Sequence, residues 1–140
     1  MLEWSFYSSF VFLVEGLGMF LLREDVYGVL FVFLFLTSLL YRWYPNTITL
    51  ISDKLAIMYV VLYGTNCLWE NIENNDISVE GLYVIGFTFL VVLYLYYGGY
   101  WMKRYCFDPE QGELWHAYVH MISCVGHTMI VLLKGTYGSL

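Results

Sequence analysis

The chain alternates long apolar runs with short polar joints, and each run is long enough to form a helix that crosses a membrane. A membrane helix needs about 20 mostly apolar residues to cross about 30 Å of hydrocarbon. We therefore predict an all-α, polytopic membrane bundle of about five transmembrane helices, which forms a single domain over residues 1–140. The predicted spans are Phe6–Leu22, Val26–Tyr44, Thr47–Trp69, Gly81–Tyr97 and Glu113–Leu133.

Composition supports this class and excludes others. Hydrophobic residues make up 60% of the chain and charged residues 13%, a balance typical of a membrane protein and far too apolar for a soluble domain. The net charge of −6 argues against a nucleic-acid partner, which would need a basic face. The three cysteines have no Cys-x-x-Cys spacing, so they predict neither a disulfide framework nor a zinc knuckle.

The distribution of basic residues predicts the orientation. With five spans, the N-terminus and the joints after the second and fourth spans lie on one side of the membrane. That side has four basic residues and the other has two, so the positive-inside rule predicts a cytoplasmic N-terminus and an external C-terminus. The first group is Arg42, Lys54, Lys103 and Arg104, and the second is Arg23 and Lys134.

The side of the membrane predicted for each helix end (its sidedness) also places polar residues from different spans near one face. The end of the second span, the start of the third and the start of the fifth all lie near one membrane face. Polar and ionisable side chains at one depth are costly unless they face each other or water, so we predict a shared polar pocket. Its members are Ser38, Arg42, Asp53, His116 and His120.

His116 and His120 lie one helical turn apart on one face, a spacing that suits metal binding. Two imidazoles and the Asp53 carboxylate are possible ligands of zinc, and Asp53 is alternatively a group that orients a metal-bound water. Zinc would supply a nucleophilic water at neutral pH. The spacing alone is a weak signal, because such pairs also bind haem or hydrogen-bond helices together.

Two further residues are pocket candidates. Glu15 is an acid in the middle of the first span, which marks either a functional group or a hydrogen-bonded residue that helps helices pack. His127 lies about 10 Å beyond His120 along the helix, too far to bind the same ion. We favour a packed core histidine over a polar residue deep in the pocket.

Two stretches resemble the alkaline ceramidases of the CREST superfamily of membrane hydrolases. Residues 50–59, Leu-Ile-Ser-Asp-Lys-Leu-Ala-Ile-Met-Tyr, are similar to the family's segment around its Asp. The segment His-Ala-Tyr-Val-His at residues 116–120 resembles the family's terminal His-Ala-x-x-His helix. The family's Ser-x3-His, eleven residues ahead of its Asp, corresponds to Ser38 and Arg42, so an arginine stands where the third histidine is expected.

The resemblance implies a zinc-dependent hydrolase that acts on a membrane lipid amide such as ceramide. Ser38 and Asp53 would be catalytic, and His116, His120 and Asp53 would bind zinc. Arginine cannot ligate zinc, so the alternative is a metal-free remnant in which Arg42 pairs with Asp53, in an inactive relative or a structural or binding subunit. Ion conduction is disfavoured, because no continuous polar ladder crosses the second, third and fourth spans.

The chain is also shorter than the family it resembles. The family has seven helices and this chain has room for about five, so it corresponds to a truncated version of that fold. The missing helices would remove walls from a lipid pocket. A homo-oligomer or a larger membrane complex would restore them.

Overall fold

The structure is a computed structural model that describes residues 4–101 and 109–134. All regular structure in these ranges is helical, and the predicted all-α class is confirmed for them. The helices are α1 (Trp4–Leu21), α2 (Asp25–Trp43), α3 (Thr47–Glu73), α4 (Val79–Leu93) and α5 (Pro109–Leu132), and α4 continues into a π-helical segment, Tyr94–Trp101.

Three of these helical stretches are long and apolar enough to cross a membrane: Asp25–Trp43, Thr47–Glu73 and Val79–Gly98. The apolar part of α1, Phe6–Leu21, is shorter. These lengths are compatible with an integral membrane protein. The predicted orientation depends in part on Lys103 and Arg104, which lie outside the described residues.

The start of α3 is fixed by a reciprocal cap. The Asn46 side chain accepts a hydrogen bond from the Thr49 backbone N–H at 3.0 Å, and the Thr49 hydroxyl accepts one from the Asn46 N–H at 3.1 Å. Such a cap satisfies two backbone donors that a helix start otherwise leaves unpaired. Pro45 is a helix breaker and asparagine is a favoured N-cap residue, and Asn46 is the residue that caps α3 in the structure. The cap sets the register that brings Asp53, six residues after Thr47, towards the pocket.

Replacing the cap should weaken the fold measurably. Asn46→Ala is expected to lower the free energy of unfolding by about 1 kcal/mol, the usual cost of losing a side-chain cap. Denaturant titration of the detergent-solubilised protein measures the change. Asn66→Ala is the control, since Asn66 makes an exposed bond to Glu70 within the same helix. Equal losses in both variants would contradict the role of the cap.

Packing centres on α1, α2 and α5. α1 packs against both α2 and α5, α2 also packs against α3, and α5 also packs against α4 and the π-helical segment. The main buried cluster consists of Phe12, Met19, Tyr27, Phe31, Leu34, Phe35, Ala56, Val60 and Cys124. Large apolar side chains such as Val14, Leu62 and Phe87 are exposed on the outside. That distribution suits helices surrounded by lipid.

Candidate functional site

A cavity of about 200 Å³ lies where α2 ends and α3 begins. The first half of α1, the end of α2, the first turns of α3, the π-helical segment and α5 all contribute side chains. The lining residues are Ser9, Ser38, Tyr41, Arg42, Leu50, Asp53, Lys54, Tyr96, His116 and His120. The five polar residues that sidedness predicts at one membrane face thus all line this one cavity.

Ser38 and Asp53 form a direct link between α2 and α3. The Ser38 hydroxyl donates to Asp53 Oδ1 at 2.6 Å, and both residues are buried. A carboxylate removed from water is costly unless hydrogen bonds replace its hydration, so Ser38 offsets part of the cost of burying Asp53. The bond also fixes the direction of one carboxylate oxygen at the cavity wall.

His120 is held from the α1 side. Its Nδ1 lies 2.8 Å from Ser8 Oγ, and the Phe12 ring packs against the imidazole at 4.7 Å between centroids. The His116 and His120 rings lie 4.5 Å apart, as their spacing of one turn predicts. A histidine with one ring nitrogen fixed by a neighbouring oxygen has a defined orientation, an arrangement also used by metal-binding histidines.

Arg42 contacts the other histidine of the pair. Its Nη2 lies 3.5 Å from His116 Nδ1, a long contact at which the guanidinium can only be the donor. If this contact is a hydrogen bond, His116 Nδ1 is the acceptor. The contact places the arginine's positive charge directly beside the ring that is predicted to bind zinc.

The predicted zinc ligands are His116, His120 and Asp53, and all three line the cavity. Within the described ranges, however, no group of three or more His, Cys, Asp or Glu side chains is arranged to hold a metal ion. The Arg42 guanidinium would also repel a divalent cation placed beside His116. In the arrangement observed, Arg42 lies against His116 Nδ1, and Asp53 Oδ1 accepts a hydrogen bond from Ser38.

Lys54 and Tyr96 line the cavity between α3 and the π-helical segment. Lys54 Nζ lies 5.8 Å from the centroid of the Tyr96 ring, within the range of a cation–π contact. Tyrosines clustered near the end of an apolar span, as around Tyr96, are typical of the aromatic belt at a membrane surface, but Tyr96 lines the cavity. Short π-helical segments often occur at functional sites, so the π-helical position of Tyr96 fits a residue of a binding site.

The other two pocket candidates lie outside the cavity lining. Glu15 accepts a hydrogen bond from the Thr128 hydroxyl and so links α1 to α5. His127 is 2% exposed, and its Nδ1 lies 2.8 Å from the Tyr27 hydroxyl. The His127 Nε2 is buried and has no hydrogen-bond partner among the described residues. This environment is that of a packed core histidine, the alternative that the sequence favours.

Ser8 and Ser9 support the site from α1 and are not among the predicted pocket residues. Both are buried, at 7% and 1% exposure. The signal was present, because two adjacent hydroxyl residues in an apolar membrane-length run point to a partner elsewhere in the bundle. Tyr41 is not predicted either, because nothing in its local sequence distinguishes it from the other tyrosines of the chain.

Comparison of the chain with protein-family models, curated proteins and solved structures gives no match.

Proposed function

We propose that this protein is a membrane-embedded lipid-binding protein, and that the cavity between α2, α3 and α5 takes up the polar part of a membrane lipid. The observation that carries the proposal is the cavity itself, in which charged and hydroxyl side chains meet at one end of apolar helices. Its volume has room for roughly six or seven waters at about 30 Å³ each, enough for a compact polar group. The exposed apolar side chains outside the bundle would face the lipid's acyl chains.

Arg42 favours binding over metal-dependent chemistry. It places a permanent positive charge beside His116, 3.5 Å from the Nδ1 of that ring. Ser38, Asp53 and the two imidazoles add polar groups to the same cavity wall. Such a set suits recognition of a headgroup or of the carbonyl linkage below it.

Blocking the cavity should remove lipid binding. Leu50 lines the cavity and is partly exposed, so Leu50→Trp fills space without rebuilding the core. We expect the amount of bound lipid, measured by native mass spectrometry in detergent, to fall roughly tenfold, which corresponds to a steric cost of about 1.4 kcal/mol. The matched control is Ile51→Trp, at a position that is exposed but outside the cavity. Equal lipid occupancy in both variants would argue against this binding site.

A second proposal is zinc-dependent hydrolysis of a lipid amide, which the resemblance to the alkaline ceramidases implies. Two contacts favour it: Ser38 orients the Asp53 carboxylate, and Ser8 orients His120. Zinc analysis of the purified protein, with a ceramide hydrolysis assay, separates the two proposals. About one zinc per chain together with amide hydrolysis would support the enzyme, whereas a zinc-free, inactive protein that retains lipid supports the binding role.

A further inference from the structure

Two basic side chains line the cavity from different helices. Arg42 lies one residue before the end of α2, and Lys54 lies in the second turn of α3. Among the described lining residues Asp53 is the one acid, and it accepts a hydrogen bond from Ser38. The charged lining side chains therefore sum to one net positive charge, and an arginine and a lysine line the same cavity.

The depth of these cations matches the membrane surface. α2 is long and apolar enough to span a membrane, and its last residue is Trp43. Arg42 thus lies at the helix end, while Ser38, one turn earlier, lies about 6 Å deeper. Lys54 has a long stem that lets its ammonium group reach towards the interface. The phosphates of a bilayer lie in that interfacial layer, just outside the hydrocarbon.

We propose that Arg42 and Lys54 bind the phosphate of a membrane phospholipid, whose carbonyl linkage then reaches the deeper level of Ser38. This inference rests on the proposed lipid-binding function and adds the chemical class of the ligand. A guanidinium matches phosphate oxygens with paired, charge-assisted hydrogen bonds, and a lysine adds a point charge. Tyr96, beside the Lys54 ammonium, forms the adjacent wall.

The test compares two lipids that differ only in phosphate. The full-length protein in a neutral, non-ionic detergent is titrated with phosphatidic acid and with diacylglycerol of the same acyl chains. We expect phosphatidic acid to bind at least about tenfold more tightly, as the loss of a charged hydrogen-bond partner implies. Arg42→Gln should remove that preference, and Lys54→Gln should reduce it. Arg23→Gln, an exposed arginine between α1 and α2, is the matched control and should leave it unchanged.

Each of the other outcomes overturns either phosphate recognition or lipid binding as a whole. If the two lipids bind with equal affinity and Leu50→Trp removes the binding of both, lipid binding in the cavity stands and phosphate recognition is overturned. If neither lipid binds, or if Leu50→Trp changes neither affinity, lipid binding in this cavity is overturned as well. Inorganic phosphate is a third ligand, and binding as tight as that of phosphatidic acid would make the partner a soluble anion instead of a lipid. Because Lys54 is exposed, Lys54→Gln keeps the test valid if Arg42→Gln fails to fold.

Discussion

Gly64→Ala is expected to lower the free energy of unfolding by about 2–4 kcal/mol, a large effect for one methyl group. A Cβ at this position would lie 2.6 Å from the Tyr27 hydroxyl and 2.7 Å from the His127 ring. Both partners are almost fully buried, so neither can move into open space. The substitution would separate α3 from α2 and α5 or break the Tyr27–His127 hydrogen bond, leaving buried polar groups without partners.

The measurement is denaturant titration of the detergent-solubilised protein, followed by circular dichroism. Gly86→Ala is the matched control, because a Cβ there would meet no atom within 4 Å. Alanine also has a higher helix propensity than glycine by roughly 0.5–1 kcal/mol, so this variant should be neutral or slightly more stable. If Gly64→Ala behaved like Gly86→Ala, the close approach of α3 to Tyr27 and His127 would be wrong.

The Tyr27–His127 contact also explains how the bundle tolerates a histidine far from the cavity. Three aromatic rings, Tyr27, Phe31 and Phe89, surround His127 with centroids 5.2–5.6 Å away. Its Nδ1 has the tyrosine partner, and its Nε2 is buried without one in the part of the chain that the structure describes. A buried polar group without a partner costs about 1–3 kcal/mol, so the bond to Tyr27 offsets part of the cost of burying this ring.

Local features of the fold could be predicted from the sequence. The apolar runs predict the helices, and the Asn46 cap at the start of α3 follows from Pro45-Asn46-Thr47 because a cap depends on neighbouring residues only. The sidedness argument predicts that Ser38 and His120 lie at a similar depth, and the two residues do line one cavity. The number of membrane crossings and the orientation stay predictions.

Which helices pack against each other could not be predicted in the same way. The link between Ser8 and His120 spans 112 residues and depends on α1 packing beside α5, which no local pattern encodes. The position of Arg42 against His116 depends likewise on the rotation of α2 about its axis. Residue type alone identifies the predicted zinc ligands, whereas the charge that Arg42 places beside His116 depends on this packing.

Arg42→His is expected to turn the cavity into a zinc site. The substitution removes the positive charge beside His116, frees its Nδ1 from the arginine and adds a third imidazole to the cavity that already has His116 and His120. Three imidazoles are an established ligand set for a zinc ion with an open position. We expect elemental analysis of purified protein to rise from close to zero in the unaltered chain to about one zinc per chain.

Two control variants distinguish the loss of the Arg42 charge from the gain of a zinc ligand. Arg42→Gln removes the charge without adding a ligand, and Leu40→His adds an imidazole on the exposed face of α2, so both should remain close to zero. Combining Arg42→His with His116→Ala should abolish the gained zinc. Stoichiometric zinc in the unaltered protein would contradict the argument that Arg42 excludes the ion, and it would favour the hydrolase. A zinc-free Arg42→His variant that keeps its fold would show instead that His116 and His120 do not present ligating nitrogens to the space that the arginine occupies.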